Sequence, residues 1–195
     1  MVITELDPKT FIIYSAVTAD YDLVLPPAKQ KRAKKFVLYS DTQMRVKGWQ
    51  SAPLECSFDT GLVSNRYHKF FPHLLFPESE YSLYLDGNIG VIGDLSPIFD
   101  EFVESRSAIG VFKHRDRQTL GEEFDACLRQ QKFDKSDLSR YKEQMRYYRQ
   151  VGMPDDHALT DNAVIFRWHH HPELGPAMLE WWDQFGRYTK RDQLS

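Results

Sequence analysis

Phe11-Ile-Ile-Tyr-Ser-Ala-Val17 is a nearly continuous apolar run. A run of this kind reads as a strand buried on both faces, as in a parallel sheet. Phe36-Val-Leu-Tyr-Ser40, Tyr81-Ser-Leu-Tyr-Leu85, Ala108-Ile-Gly-Val-Phe112 and Asn162-Ala-Val-Ile-Phe166 read the same way. Helical patterns lie between them. Asn65 to Phe76 is expected as a helix broken near Pro72. A second helix starts at Ser96 as cap, with Pro97 at the first position, and runs to about Glu104. Gly121 to Gln131, Ser136 to Gln150 and Pro176 to Phe185 complete the set, with Gly152 and Pro154 closing the fourth. Around Gly48 to Thr60 the pattern is irregular. Strands alternating with helices predict an α/β fold, with a mostly parallel central sheet flanked by helices.

The chain has 195 residues, 42% of them apolar and 14% aromatic. That length fits one domain with a core large enough to need no staples. Lys and Arg number 25 against 28 Asp and Glu, for a formal charge of −3. This excludes a globally basic nucleic-acid binder and an acidic disordered chain. Cys56 and Cys127 stand far apart with no Cys-x-x-Cys, against a zinc ribbon or disulfide scaffold and in keeping with a reducing cytosol. No apolar stretch reaches about 18 residues, and Met1-Val-Ile-Thr-Glu-Leu-Asp7 lacks the form of a signal peptide. The expected location is cytoplasmic, extending to the periphery of the cytoplasmic membrane.

In open α/β sheets, ligands bind outside the carboxyl ends of strands. That rule selects Asp41, Asp86, Asn88 and Asn162. The sharpest local pattern is Leu83-Tyr-Leu-Asp-Gly-Asn-Ile-Gly-Val91. A carboxylate leaves a buried strand, and a second oxygen ligand follows two residues later. With Gly87 allowing a tight turn, Asp86 and Asn88 can reach one hard cation. Such an ion can bridge to a diphosphate leaving group. An Asp-Gly hairpin turn between two strands is the competing reading, and the pattern alone does not choose. Arg66, His68, Lys69 and His73 precede this stretch. On a continuous helix Arg66, Lys69 and His73 would share one face suited to a diphosphate, against the plainer reading of a solvated face.

Other patterns carry less. Lys29-Gln-Lys-Arg-Ala-Lys-Lys35 reads as a solvated connector, with a nucleic-acid patch as the alternative. Of Trp181 and Trp182, at least one is expected in the core. His169-His170-His171 offers consecutive imidazoles, which do not converge on one ion in a helix or strand. P-loop and dinucleotide-binding glycine motifs are absent, as are local signatures of a nucleophile triad.

Taken in order, the motifs resemble the TOD1/MUCI70 glycosyltransferase-like domain of plants and bacteria. The residues that carry the resemblance are Phe11 to Ala16, Tyr21-Asp22, Asn65 to Pro77 and Tyr81 to Asn88. Gln144, Tyr148, Gly152-Met-Pro154, Asn162 to Arg167, Trp181-Trp182 and Arg191-Asp-Gln-Leu-Ser195 extend it. The resemblance implies a single GT-A-like domain over residues 1–195 and transfer of a sugar from a nucleotide-sugar donor to a glycan or other acceptor. Polysaccharide biosynthesis is the setting it implies, and nucleic acid is not among its partners. Asp86-Gly-Asn88 takes the place of the Asp-x-Asp motif that binds Mn²⁺ (or Mg²⁺) and the donor diphosphate, with Asn replacing the second carboxylate. Ser15, Ala16, Val17, Tyr21 and Asp41 fall to the nucleoside side of a donor site. Arg66, Lys69 and His73 fall beside its phosphates, with Gly87 in the turn.

A wider likeness to retaining enzymes of the glycogenin type compares Asn162-Ala163-Val164 and Asp192-Gln193 with residues near the donor sugar and acceptor. It nominates Asp192, Gln193 and Asn162 for catalysis. That group places a third metal ligand, a His, well downstream of the Asp-Gln pair, and the given sequence ends three residues after Asp192. The expectation is either a minimal domain short of a C-terminal lid, or one in which His169 or His170 substitutes as ligand, or one that has lost catalysis. The alternative function is a catalytically silent module that binds nucleotide-sugar or glycan.

Overall fold

The computed structural model describes residues 9–133, 135–154 and 158–195. The amino-terminal stretch read above against a signal peptide lies outside the described residues, apart from its consequences for composition. Six strands and six helices are seen among the described residues: β1 (Phe11–Val17), β2 (Ala33–Ser40), β3 (Gln50–Pro53), α1 (Gly61–Phe70), α2 (Pro72–Leu75), β4 (Tyr81–Leu85), α3 (Ser96–Ser105), β5 (Ile109–Lys113), α4 (Leu120–Arg129), α5 (Lys135–Gln150), β6 (Thr160–Trp168) and α6 (Leu174–Arg187).

The strand order is β3-β2-β1-β4-β6-β5. β1 pairs in parallel with both β2 and β4, and β2 in parallel with β3. β6 pairs with β4 antiparallel. The expected α/β sheet, mostly parallel with flanking helices, is therefore present. Each of the five expected strands is there. β3, in the stretch read as irregular, is the sixth. Its sequence, Gln50-Ser-Ala-Pro, has no apolar run and most of it is exposed, so periodicity had nothing to detect.

The chain packs as two compact units: Met1–Gly110 with Ala163–Leu174, and Val111–Asn162 with Gly175–Ser195. In the first unit every residue of β1 and β4 is buried, as expected for strands covered on both faces. One face is apolar. Phe11, Ile13, Val17, Leu38, Leu83, Leu85 and Phe166 pack there with Phe99 and Phe102 of α3. Phe11 and Phe99 stack with ring centroids 4.2 Å apart. The opposite face is amphipathic. There Tyr14 meets Tyr84 and Phe76 edge-on, each at 5.3 Å, and its hydroxyl donates to the Lys69 carbonyl of α1.

Helix ends explain themselves locally. α1 starts four residues before the expected segment because Thr60 caps it, its Oγ1 accepting from Val63 N–H at 3.2 Å. The break expected at Pro72 separates α1 from the single turn of α2. At α3 the cap shifts by one position. Leu95 is the capping residue, Ser96 and Pro97 lie inside, and Asp94 Oδ1 accepts from Ser96 N–H and Oγ–H. The basic run from Lys29 is irregular through Arg32 and then enters β2. Lys31 pairs with Asp94 at 3.5 Å and Arg32 with Asp100, the ion pairs of a connector.

In the second unit, α4 has a reciprocal capping box between Thr119 and Glu122 that the sequence reading passed over. Neither Trp181 nor Trp182 is fully buried, so the expectation of a core Trp there is corrected. Both are half-buried, with the Trp181 indole N–H donating to the Asp192 carbonyl at 3.0 Å.

Candidate functional site

The strand order reverses direction at β1. From β1 the chain steps outward to β2 and β3, and β4 returns on the other side of β1. The carboxyl ends of β1 and β4 therefore flank a topological switch point, where open α/β sheets bind ligands. Asp86 follows β4 directly. Its N–H donates to the Ala163 carbonyl at 2.8 Å, and its carbonyl accepts from Ile89 N–H at 2.9 Å, closing a tight turn over Gly87 and Asn88. Residues 89–92 form no strand, so the hairpin reading of Asp86-Gly87 fails.

Gly87 is demanded by close approach. A Cβ there would lie 2.6 Å from Val17 Cγ2, 2.7 Å from Asp22 Cβ and 2.9 Å from Asp22 Oδ2. This brings Asp22 into the site. In sequence it stands only as part of Tyr21-Asp22, because nothing in the one-dimensional pattern aims it at Asp86. Burial raises the Asp22 pKa first, the nearby Asp86 charge raises it further, and Arg66 opposes both.

Lys69 answers the negative charge. Its side chain is 1% exposed, and Nζ donates to Asp86 Oδ1 at 3.0 Å. Nζ also lies 5.0 Å from the centroid of the Tyr84 ring. This overturns the solvated-face reading of the basic cluster. Arg66 Nη1 donates to Asn65 Oδ1 at 2.5 Å, and Asn65 Nδ2 donates to the Ala16 carbonyl at 2.5 Å, tying α1 to the end of β1. His73 departs from the shared face. It lies past the Pro72 break on α2, where burial, then the Arg167 charge, lowers its pKa.

The loop after β1 is held from β2. Ala19 and Asp20 both take left-handed backbone, at φ 54° and 50°. Asp41 accepts the Ala19 N–H with both carboxylate oxygens, at 3.0 and 3.1 Å, and Thr42 Oγ1 donates to Asp20 Oδ1 at 2.5 Å. Tyr21 projects from this loop with 86% of its surface exposed. Ser15 is buried, and its hydroxyl has no partner among the described residues.

The second unit holds the remaining candidates. Asn162 Nδ2 donates to the Asp192 carbonyl at 3.0 Å, and Gln193 Nε2 to the Thr160 carbonyl at 3.1 Å. Asp192 itself is 5% exposed. Gln144, fully buried, donates to the Leu194 carbonyl at 2.8 Å, and Tyr148 donates to the same oxygen at 3.0 Å. Buried Glu123 pairs with Arg117 at 2.5 Å and Arg191 at 4.0 Å. Gln144, Tyr148 and Glu123 thus fix the segment around Asp192. Their contacts with Arg191 and Leu194 are invisible in sequence because they span dozens of residues.

The family profile described as TOD1/MUCI70, glycosyltransferase-like domain, matches residues 55–195. The chain belongs to that family. Within it, the chain is similar to the probable hexosyltransferase MUCI70 of Arabidopsis thaliana, 26% identical over 147 residues. That match covers 71% of this chain and 25% of the relative, so the chain spans about a quarter of the curated protein's length. Among solved structures, mouse xyloside xylosyltransferase 1 in its apo form is similar with a TM-score of 0.52 at 10% identity. The superposition covers 95% of this chain and 79% of the other. The fold of this TOD1/MUCI70 member is accordingly of the GT-A type.

The donor set at the turn suits a hard cation. Asp86 and Asn88 offer oxygen ligands, and the space that a Gly87 Cβ would fill is bordered by the Asp22 carboxylate. Among the described residues no three or more His, Cys, Asp or Glu side chains gather around one point. Mn²⁺ and Mg²⁺ need no such cage, being held by one or two carboxylates together with substrate phosphates. His169 does not fit the role of substitute ligand. Its Nδ1 faces the Phe76 carbonyl at 3.3 Å and its Nε2 the Ser82 hydroxyl at 2.8 Å. No helix among the described residues is long and apolar enough to cross a membrane.

His169 gives a pH prediction. Burial pushes its pKa down from the ordinary 6.5 to about 4. Its folded-state pKa is below the unfolded value, so the unfolded chain takes up the proton first as pH falls. Stability is then lost between about pH 6.5 and 4, with the loss complete below that window. The lowered pKa values of His68 and His73 act in the same direction. Urea unfolding at pH 7 and pH 5 should show the drop, and His169→Gln should flatten it. An equal drop in that variant would assign the effect elsewhere.

Proposed function

We propose that this TOD1/MUCI70 domain binds a nucleotide-sugar donor at the Asp86-Gly87-Asn88 turn and transfers the sugar to a glycan or other hydroxyl acceptor. The observation that carries the reading is the position of that turn, at a strand end flanking the switch point, with a buried lysine on its carboxylate. Asp86 and Asn88 would hold Mn²⁺ or Mg²⁺. When bound, such an ion neutralises charge on a departing nucleoside diphosphate. Lys69 orients the Asp86 carboxylate and adds fixed positive charge close to the phosphates, where a dry setting strengthens it. Arg66 supports the same charge from α1. The β1 loop, held by Asp41, presents Tyr21 as a face for the base or ribose, while Ser15, Ala16 and Val17, buried in β1, shape the strand end from which that loop leaves and do not themselves offer a surface to a ligand. Asp192 and Gln193, braced by Asn162, are assigned to the transferred sugar.

A second reading is a binding module without turnover. It is favoured by the engagement of the Asn162 and Gln193 amides with backbone carbonyls and by Asn88 standing where a carboxylate would bind a cation more tightly.

Calorimetry with UDP- and GDP-sugars, with and without Mn²⁺, tests the first reading. Metal-dependent binding of one donor class is expected, and no binding under any of these conditions would overturn it. Release of nucleoside diphosphate, by transfer or hydrolysis, would eliminate the silent module.

A further inference from the structure

The face of the sheet beneath α1 and α2 contains a cation that has no counter-ion among the described residues. Arg167, on β6 opposite Ser82, is 0% exposed. Its Nη1 donates to the Tyr14 hydroxyl at 3.4 Å, a long contact. Its Nε and Nη2 are buried without a partner among the described residues. Those two groups are neighbours along one edge of the guanidinium, with parallel N–H bonds. That edge is the fork by which arginine grips an anion with two hydrogen bonds at once.

Among the described residues, no acidic side chain is in charge interaction with it. Tyr14 and Tyr84 are the phenols closest in charge interaction with Arg167, and burial raises the pKa of Tyr14 well above its usual value, so it stays a neutral phenol. His73 and His169 feel the guanidinium as a like charge that discourages their protonation. The Nδ1 of His73 is itself buried and without a partner among the described residues. Burying one uncompensated guanidinium costs several kcal/mol, and unmade N–H bonds add to that. The helical end of α1 offers only the partial charge of its last carbonyls, one of which already accepts from Tyr14.

We infer that the Arg167 fork binds a small monatomic anion, chloride in the first instance, with His73 on its flank. Full enclosure of the guanidinium argues for a small ion over a phosphate ester or a carboxylic acid. The Arg167 charge acts on His73 of α2, the turn that follows α1 directly, so the ion would be a structural ligand beside the element that carries Lys69. This inference does not rest on the glycosyltransferase reading and survives its failure.

The test is thermal unfolding of the whole chain at pH 8 and constant ionic strength, with sodium gluconate replaced stepwise by sodium chloride. A saturable rise of Tm is expected, about 5 °C at a chloride concentration about 100 times Kd. Bromide should act like chloride. Arg167→Lys, which keeps the charge and removes the fork, should abolish the response. Should that variant not fold, crystals of the unaltered protein in sodium bromide decide the matter by anomalous scattering. A bromide peak within hydrogen-bonding distance of Arg167 Nε and Nη2 supports the site. A flat Tm series, an equal response in Arg167→Lys, a response to phosphate but not to chloride, or no bromide at the fork would each overturn it.

Discussion

Asp86→Ala should abolish metal-dependent donor binding and lower any sugar transfer by 100-fold or more, on the order of an electrostatic element lost from a transition state. It should also weaken the fold. Lys69 is 1% exposed and its ammonium bonds Asp86 at 3.0 Å, so the substitution takes the Asp86 carboxylate away from a buried cation. Removing one partner of a buried pair costs about 3–5 kcal/mol. At this chain length that lowers Tm by about 6–20 °C. The two effects can be separated. Lys69→Met combined with Asp86→Asn removes both charges and should recover much of the stability while donor binding stays lost. Calorimetry and thermal unfolding on the three proteins check this. Donor binding by Asp86→Ala equal to that of the unaltered chain would remove Asp86 from the site.

Gly87→Ala should be almost as damaging to binding, through shape alone. The added methyl would sit within 3 Å of Val17 Cγ2 and of two atoms of Asp22. The Val17 side chain is 1% exposed and packed in the core, and cannot swing away. The turn must then shift, carrying Asp86 and Asn88 with it. Overpacking of this kind costs about 1–3 kcal/mol. A displacement near 1 Å in a reactive site commonly costs about 100-fold in rate. Donor affinity within a factor of two of the unaltered protein would show that the turn tolerates a side chain and that the cradle is not needed.

Much of this was legible in sequence, for a physical reason. Strands such as Phe11–Val17 and Tyr81–Leu85 lie between two layers, so their composition betrays them without any partner being known. Asp86 was legible because a carboxylate ending such a strand violates the surrounding apolar pattern. What escaped was whatever depends on a distant neighbour. β3 is polar, and its place is set by pairing with β2. Asp22 matters because the chain after β1 folds back onto Gly87. His73 was expected to share a face with Arg66 and Lys69, but one proline turned the chain and gave it a different set of neighbours. Arg167 sits in an apolar run, where a single basic residue reads as the end of a strand, and only the packed sheet reveals how completely it is enclosed.

The loop after β1 has a bearing on how the protein spends its stability. Two successive residues, Ala19 and Asp20, adopt a backbone that glycine takes without penalty, and each such residue costs on the order of 1 kcal/mol. Asp41 and Thr42, just past the end of the neighbouring β2, hold them there. The ordering of this loop is therefore complete in the folded chain, and a donor binding at Tyr21 as proposed would meet a surface already set. A looser, glycine-bearing loop would give a more stable apoprotein and a poorer binder, because the ligand would then have to supply the ordering free energy itself. Glycine substitutions at positions 19 and 20 should consequently move two quantities in opposite directions, how tightly the protein binds and how stably it folds.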